Sequence, residues 1–275
     1  MKKILFFETY VFTGATRVTH TLAKAAKKEY EVAFAKVGYN VREDIETAIK
    51  KESPDILFSS FILINPEVIL AGKRHSLYVI IRNDYKLEDV VDSIRARAME
   101  TYSLADEIIA QTEEMRKSML CIPNIEPSKV RVLENPLDEE DILESAKEPN
   151  PFQDNGCFHF LWVGRKDPIK DLPTLHKAFE RVKKEFPKTD LTLIYNEQNP
   201  YKWMKHADCL VISSKSEASP NVLREALFLG TPVVSTNCSP TVRNLLNKDC
   251  IAPVGDDERL AWSMKKIIVS CQNSY

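Results

Sequence analysis

Two short stretches gather residue types suited to an anionic, hydroxyl-rich ligand. The first is Gly164-Arg165-Lys166-Asp167-Pro168-Ile169-Lys170, directly after the apolar run Phe158–Val163. Arg165 offers a planar fork of donors and Lys170 a mobile point charge, so a loop at the end of a strand could neutralise a phosphate there. The second is Ser216-Glu217-Ala218-Ser219-Pro220-Asn221-Val222-Leu223-Arg224-Glu225. Ser219 suits an N-cap and Pro220 a first helical position. The N–H groups of Asn221, Val222 and Leu223 would then point out of a helix start, where the dipole favours an anion. Glu217 and Glu225 flank that start, and carboxylates accept hydrogen bonds from sugar hydroxyls in a defined plane. Each stretch also has a plainer explanation: a basic loop is often a solvated face, and acids at a helix start often only complement its dipole. A third segment, Leu229-Gly230-Thr231-Pro232-Val233-Val234, stops that helix with glycine and enters a buried strand.

These residues need strands to carry them, and the chain supplies an alternation of short apolar runs with amphipathic stretches. In the first half, strands are expected at Ile4–Phe7, Glu31–Val37, Asp55–Phe61, Leu77–Ile81, Glu107–Gln111 and Val130–Leu133. Helical patterns fall at Ala15–Lys28, Val41–Lys51, Leu87–Tyr102 and Glu113–Leu120. The acidic stretch Glu139–Gly156, with Pro149 and Pro151, reads as an interdomain connection. The alternation then restarts with strands Phe158–Val163, Leu191–Tyr195, Cys209–Ser213, Pro232–Ser235 and Ile251–Val254, and helices Leu172–Phe186, Pro220–Leu229, Val242–Asn247 and Glu258–Cys271. Strand–helix alternation of this kind implies parallel sheets. The expectation is an α/β protein of two doubly wound, Rossmann-like domains, 1–148 and 149–275, facing each other across a cleft. The last helix is free to pack back on the first domain. Open parallel sheets bind ligands at the carboxyl ends of their strands.

Composition narrows the chemistry. The net charge of −2 gives nucleic acid little attraction. The first half is net acidic and the second net basic, which suits an anionic ligand in the second. Six cysteines form no Cys-x-x-Cys pair, and several sit inside apolar runs, as reduced core residues do. The five histidines show no metal-ligand spacing, and no Asp-x-Asp occurs, so the simplest way of holding a divalent ion against a diphosphate is missing. The apolar run Ile4–Phe7 is closed by Glu8, which fits a buried first strand better than a leader. No run approaches the roughly 20 apolar residues of a spanning helix. The expected location is the cytoplasm, with at most peripheral membrane contact.

In order and spacing, the second half resembles the donor domain of retaining glycosyltransferases of GT-B architecture, glycosyltransferase family 4 (glycosyl transferases group 1). The resemblance is carried by Gly164-Arg165 at a strand end, Lys170 five residues on, an Asp-leucine-rich helix (Asp171–Phe186), Ala207-Asp208 before an apolar strand, Glu217-x7-Glu225, Gly230-Thr231-Pro232-Val233-Val234 and Pro253-Val254-Gly255-Asp256. The first half matches more loosely, through Gly14, Ala105–Ala110 and Asn135-Pro136-Leu137-Asp138. Two features depart from the family pattern. Arg82, in Arg82-Asn83-Asp84, stands where a histidine often precedes an Asn-Asp pair, and an arginine cannot shuttle a proton near neutral pH. After Tyr195 a glycine-rich turn, a helix and a strand are absent, so the C-terminal domain is shortened beside the nucleobase pocket.

The resemblance implies transfer of a sugar from a nucleoside diphosphate sugar, UDP-activated and often an N-acetylhexosamine, to a hydroxyl acceptor with retention of configuration. It implies that Arg165 and Lys170 neutralise the leaving diphosphate in place of a metal, that Glu217 holds the donor sugar and that Glu225 holds the ribose. Gly164, Pro220, Asn221, Val222 and Leu223 complete the donor side; Gly14, Arg82 and Asn83 lie toward the acceptor, a glycan, lipid or small molecule. No cofactor and no metal is expected, and no nucleic-acid partner. The alternative is a catalytically weak or inactive nucleotide-sugar-binding partner protein. An epimerase of the same fold would need an acid/base pair beside the sugar ring, and the motifs contain none.

Overall fold

The fold is that of a computed structural model and covers residues 1–10, 13–83, 85–153 and 156–272. The chain divides into two compact units, Met1–Pro136 and Leu137–Tyr275.

The first unit is a six-stranded, all-parallel sheet in the order β2-β1-β3-β4-β5-β6. Its elements alternate along the chain: β1 (Lys3–Thr9), α1 (Gly14–Ala26), β2 (Glu31–Val37), α2 (Val41–Glu52), β3 (Ile56–Ser59), α3 (Asn65–His75), β4 (Tyr78–Arg82), α4 (Asp92–Thr101), β5 (Glu107–Ala110), α5 (Glu113–Leu120) and β6 (Val130–Val132). β1 and β3 are buried along most of their length, because helices cover both faces of a parallel sheet. Helix α1 begins in a reciprocal capping box between Thr13 and Thr16. Helix α3 is absent from the sequence expectation. Val68, Ile69, Ala71 and Gly72 are all buried, so it shows little polar-apolar periodicity. The helical pattern expected over Leu87–Tyr102 divides into a single turn at Leu87–Asp89 and then α4.

The second unit is a five-stranded parallel sheet in the order β11-β10-β9-β7-β8. It contains α6 (Glu139–Ser145), β7 (Phe158–Gly164), α7 (Leu172–Glu185), β8 (Thr189–Tyr195), α8 (Tyr201–His206), β9 (Cys209–Ile212), α9 (Asn221–Phe228), β10 (Val233–Thr236), α10 (Pro240–Leu245), β11 (Ile251–Ala252) and α11 (Asp257–Gln272). Alternate residues of each strand serve opposite faces. Leu161, Leu210, Ile212 and Val233 pack with Tyr201, Met204, Leu223 and Val242 of the helices on one side. Phe160, Trp162, Cys209, Val211 and Val234 pack with residues of α7 and α11 on the other. That is the doubly wound arrangement. The domain is shortened as expected: β8 ends the sheet order, and only five residues separate it from the one-and-a-half turns of α8.

The division between units falls at Pro136/Leu137, ahead of the acidic stretch rather than at 148/149. Within that stretch α6 is an ordered helix capped by Asp138, and Ile142 and Ala146 enter the second unit's core. Helix α11 lays Leu260, Ala261, Met264 and Ile268 against the core it shares with α7.

Candidate functional site

In the second sheet β7 and β9 are neighbours, so the loops leaving their carboxyl ends run side by side. The loop after β7 turns through Asp167, whose carboxylate accepts the Ile169 N–H at 3.0 Å, and makes one helical turn at Pro168–Lys170. Asp171 follows with φ 48° and accepts the Thr174 hydroxyl at 2.8 Å before α7 starts. The loop after β9 is tied to it at two points. The Lys215 N–H donates to the Ile169 carbonyl and the Ser213 hydroxyl to the Lys170 carbonyl, both at 2.7 Å.

Lys170 and Glu217 meet across this seam. Lys170 Nζ lies 2.5 Å from Glu217 Oε1, and both side chains are largely buried. The Ser214 hydroxyl donates to the same oxygen at 2.6 Å. The Glu217 N–H donates to the Cys238 carbonyl at 2.9 Å, which fixes the backbone from the β10 side. Burial, and secondly the negative charge of Glu217, push the Cys238 thiol up to about 11. Arg165 stands one turn upstream, its guanidinium 3.9 Å from Asp167 and one-third exposed. The site thus carries the cations Arg165 and Lys170 and the carboxylates Asp167 and Glu217 on adjacent strand-end loops, where charge neutralisation of a diphosphate and hydrogen bonding to hydroxyls are both feasible.

Gly164 has a steric role. A Cβ there would lie 2.8 Å from the ring of Trp162, which packs beneath the loop at 5.4 Å from the Tyr195 ring.

The helix start differs by one residue from the sequence expectation. Pro220 is the cap, with ψ 110°, and α9 begins at Asn221. The Ser219 hydroxyl accepts from Thr241 at 3.3 Å. The Leu223 N–H donates to the Pro220 carbonyl at 3.2 Å, and the Leu223 side chain is buried in the core. Leu223 is therefore committed to the helix, while Asn221 and Val222 remain half-buried at its start. Glu225 is 2% exposed, and the Tyr201 hydroxyl lies 3.4 Å from its Oε1. The short connection after β8 brings Tyr201 to that position.

In the first unit Gly14 is exposed at the start of α1. Arg82 and Asn83 are each 2% exposed. Arg82 Nη2 donates to Asn135 Oδ1. Asn83 Oδ1 accepts from Tyr102 at 2.5 Å and from Asn65 Nδ2 at 2.9 Å, and the Asn83 carbonyl accepts from Gln111 Nε2. The Arg82 side chain ties the carboxyl end of β4 to the segment after β6, and Asn83 ties it to α3 and Tyr102 by its side chain and to Gln111, just after β5, by its carbonyl. Asp84 lies outside the described residues.

Sequence reasoning overlooked Ser213, Ser214 and Tyr201. The two serines carried a signal: they are adjacent hydroxyls ending a wholly apolar strand, where a parallel sheet presents its ligand-facing edge. Tyr201 carried none, because it sits in a helix too short for periodicity.

Residues 194–270, from the end of β8 into α11, match the family model described as glycosyl transferases group 1. An uncharacterised glycosyltransferase of Methanocaldococcus jannaschii is 28% identical over 176 residues, which cover 53% of this chain and 43% of that protein. The N-acetylgalactosamine-N,N'-diacetylbacillosaminyl-diphospho-undecaprenol 4-alpha-N-acetylgalactosaminyltransferase of Campylobacter jejuni is 27% identical over 170 residues, covering 54% of this chain and 46% of that protein. The matched stretch spans less than half the length of either relative. The structure of Anabaena HepE in complex with UDP and glucose superposes with a TM-score of 0.73 at 14% identity, over 99% of this chain and 91% of that one. Motif order and sheet topology thus agree with the match: the chain has the GT-B fold, and its residues 194–270 are similar to the group 1 glycosyltransferases.

Proposed function

We propose that the chain transfers a sugar from a UDP-sugar to a hydroxyl acceptor, with retention of configuration and without a metal. The observation that carries this reading is the Lys170–Glu217 pair, held on two adjacent strand-end loops beside the start of α9. HepE, of the same fold, holds UDP and glucose, which supports a UDP-sugar donor here. The acceptor in this proposal is a glycan, lipid or small molecule, and the proposed compartment is the cytoplasm. Among the described residues no helix is long and apolar enough to cross a membrane.

The chemistry follows from the charges. As the bond between the sugar C1 and the diphosphate oxygen breaks, negative charge grows on the leaving group. Lys170 and Arg165 stabilise that charge, with the amide dipoles at Asn221 and Val222. Glu217 accepts hydrogen bonds from the sugar hydroxyls and fixes the ring. The acceptor oxygen attacks from the face the phosphate leaves, the new C–O bond forms, and the acceptor proton passes to the departing phosphate. No side-chain nucleophile is needed.

The test is calorimetry against UDP, GDP, ADP and the UDP-sugars of glucose, N-acetylglucosamine and N-acetylgalactosamine, followed by release of UDP from whichever sugar binds. Proton NMR of the first-formed anomer reads the stereochemistry. Binding of no nucleotide would sink the reading. Binding without any release of UDP would favour the second reading, a non-catalytic nucleotide-sugar-binding partner. That reading draws on one observation: Lys170 and Glu217 already satisfy each other.

A further inference from the structure

We propose that Ser214 is the positioning residue for Glu217, and that its hydroxyl is the partner that stays with the carboxylate when a donor draws Lys170 away. The proposal rests on the reading of Glu217 as the sugar-binding group.

Two donors share one oxygen. Lys170 Nζ and Ser214 Oγ both reach Glu217 Oε1, at 2.5 and 2.6 Å, and neither bonds Oε2. The two differ in how firmly they are held. Ser214 is 2% exposed, two residues past the end of β9, and its carbonyl accepts the buried Thr236 hydroxyl at 2.6 Å. Its neighbour Ser213 is anchored in turn on the Lys170 carbonyl. Ser214 therefore has little freedom to move. The Lys170 ammonium rides on a flexible four-carbon stem and has three protons to redirect.

A diphosphate entering beside Lys170 presents a denser negative charge than one carboxylate, and the ammonium turns toward it. Glu217, whose side chain is only 16% exposed, would then be left charged with little water around it. Such a carboxylate either finds another donor or moves. The Ser214 hydroxyl removes that choice by a charge-assisted hydrogen bond that does not depend on Lys170. Its single proton is committed to Oε1, so Oε2 is the oxygen that meets a sugar hydroxyl. Ser214 acts through Glu217 and touches no substrate itself.

The experiment compares wild type with Ser214→Ala, Ser214→Cys and Ser213→Ala. UDP affinity is read by calorimetry and turnover by UDP release from UDP-glucose, UDP-N-acetylglucosamine and UDP-N-acetylgalactosamine. Cysteine keeps the buried volume but donates weakly, so it serves if the alanine variant folds poorly; thermal melts monitor both. Both Ser214 variants should lose roughly ten- to hundredfold in kcat, the usual range for a hydrogen bond to a charged group. Their UDP affinity should stay within about twofold, because the diphosphate contacts are intact. Ser213→Ala should weaken UDP binding, since it releases the Lys170 backbone. Unchanged kcat in both Ser214 variants overturns the proposal while leaving the transferase reading in place. So does a parallel loss of UDP affinity and kcat, which would mean that Ser214 only shapes the loop. Wild-type protein that binds no UDP overturns the reading of the site and the proposal with it.

Discussion

Lys170 and Glu217 stand 47 positions apart, yet Nζ of one lies 2.5 Å from Oε1 of the other. The two groups expected to divide the donor between them, one on the diphosphate and one on the sugar, are each other's partner. On the proposed reading, donor binding exchanges this ion pair for two new contacts. Lys170→Ala should then lower turnover by about 10²–10³, as removal of a preorganised donor to developing charge does, and weaken UDP binding less. Arg165→Ala should follow the same pattern. Steady-state release of UDP with parallel calorimetry checks both, and wild-type turnover in the two variants would remove them from the site.

Activity should survive chelation. On the proposed reading, Arg165 and Lys170 supply the positive charge that a divalent ion would otherwise bring. UDP release measured in excess EDTA, with and without added magnesium or manganese, is expected to be unchanged. Complete loss restored by either ion would contradict the assignment.

Glu225 is expected to separate from Glu217 by ligand. Glu217→Gln should spare UDP binding and reduce transfer. Glu225→Ala should weaken UDP and UDP-sugar alike by about tenfold, at roughly 1.5–3 kcal/mol per hydrogen bond to a charged group. Because Glu225 is 2% exposed beside the Tyr201 hydroxyl, Tyr201→Phe is the informative companion. If Tyr201 orients the carboxylate toward the ribose, UDP affinity falls in that variant too. A lowered melting temperature with full UDP affinity in both would make the pair a packing element only.

Gly164→Ala should be costly for its size. The added methyl would meet Trp162 at 2.8 Å, and that ring is 2% exposed with no room to retreat. Overpacking of this kind destabilises by about 1–3 kcal/mol. The loop carrying Arg165 should shift with it, so urea denaturation and UDP calorimetry are both expected to register the change. A variant with native stability and affinity would show that the ring yields freely.

Cys238 should resist alkylation. With its thiol pushed up to about 11, only about one molecule in a thousand carries the thiolate at pH 8, and burial hinders access as well. Iodoacetamide followed by mass spectrometry should label exposed Cys121 first and leave Cys238 intact. Labelling of Cys238 at the rate of Cys121 would mean that the Cys238–Glu217 seam opens in solution.

Local patterns in the chain were enough to read two parallel α/β units and most of their strands. Apolar runs such as Phe158–Val163 and Cys209–Ile212 announce buried strands, and Gly230 announces a helix end. They failed where the pattern was short or had only one side. Helix α3 is buried over most of its surface, α8 has six residues, and α6 lies in a stretch whose acidity suggested a linker.

The charged residues of the site were legible as types in sequence: Arg165, Lys170, Glu217 and Glu225. Their relations were not. The same local rule that marks Ser219 as a cap is satisfied by Ser239, which does cap α10; at α9 the cap position falls one residue later, on Pro220, and the Ser219 hydroxyl accepts from Thr241. The resemblance places Arg82 and Asn83 toward the acceptor; in the structure each is 2% exposed, with Asn135 bonded to the Arg82 side chain and Gln111 to the Asn83 carbonyl. The pairing of Lys170 with Glu217, and of both with Ser213 and Ser214, depends on β7 and β9 being neighbours although β8 lies between them in the chain. Periodicity reports which side of an element is buried. It carries no information on which element lies next to it, and that adjacency alone brings residues 47 positions apart into hydrogen-bonding range.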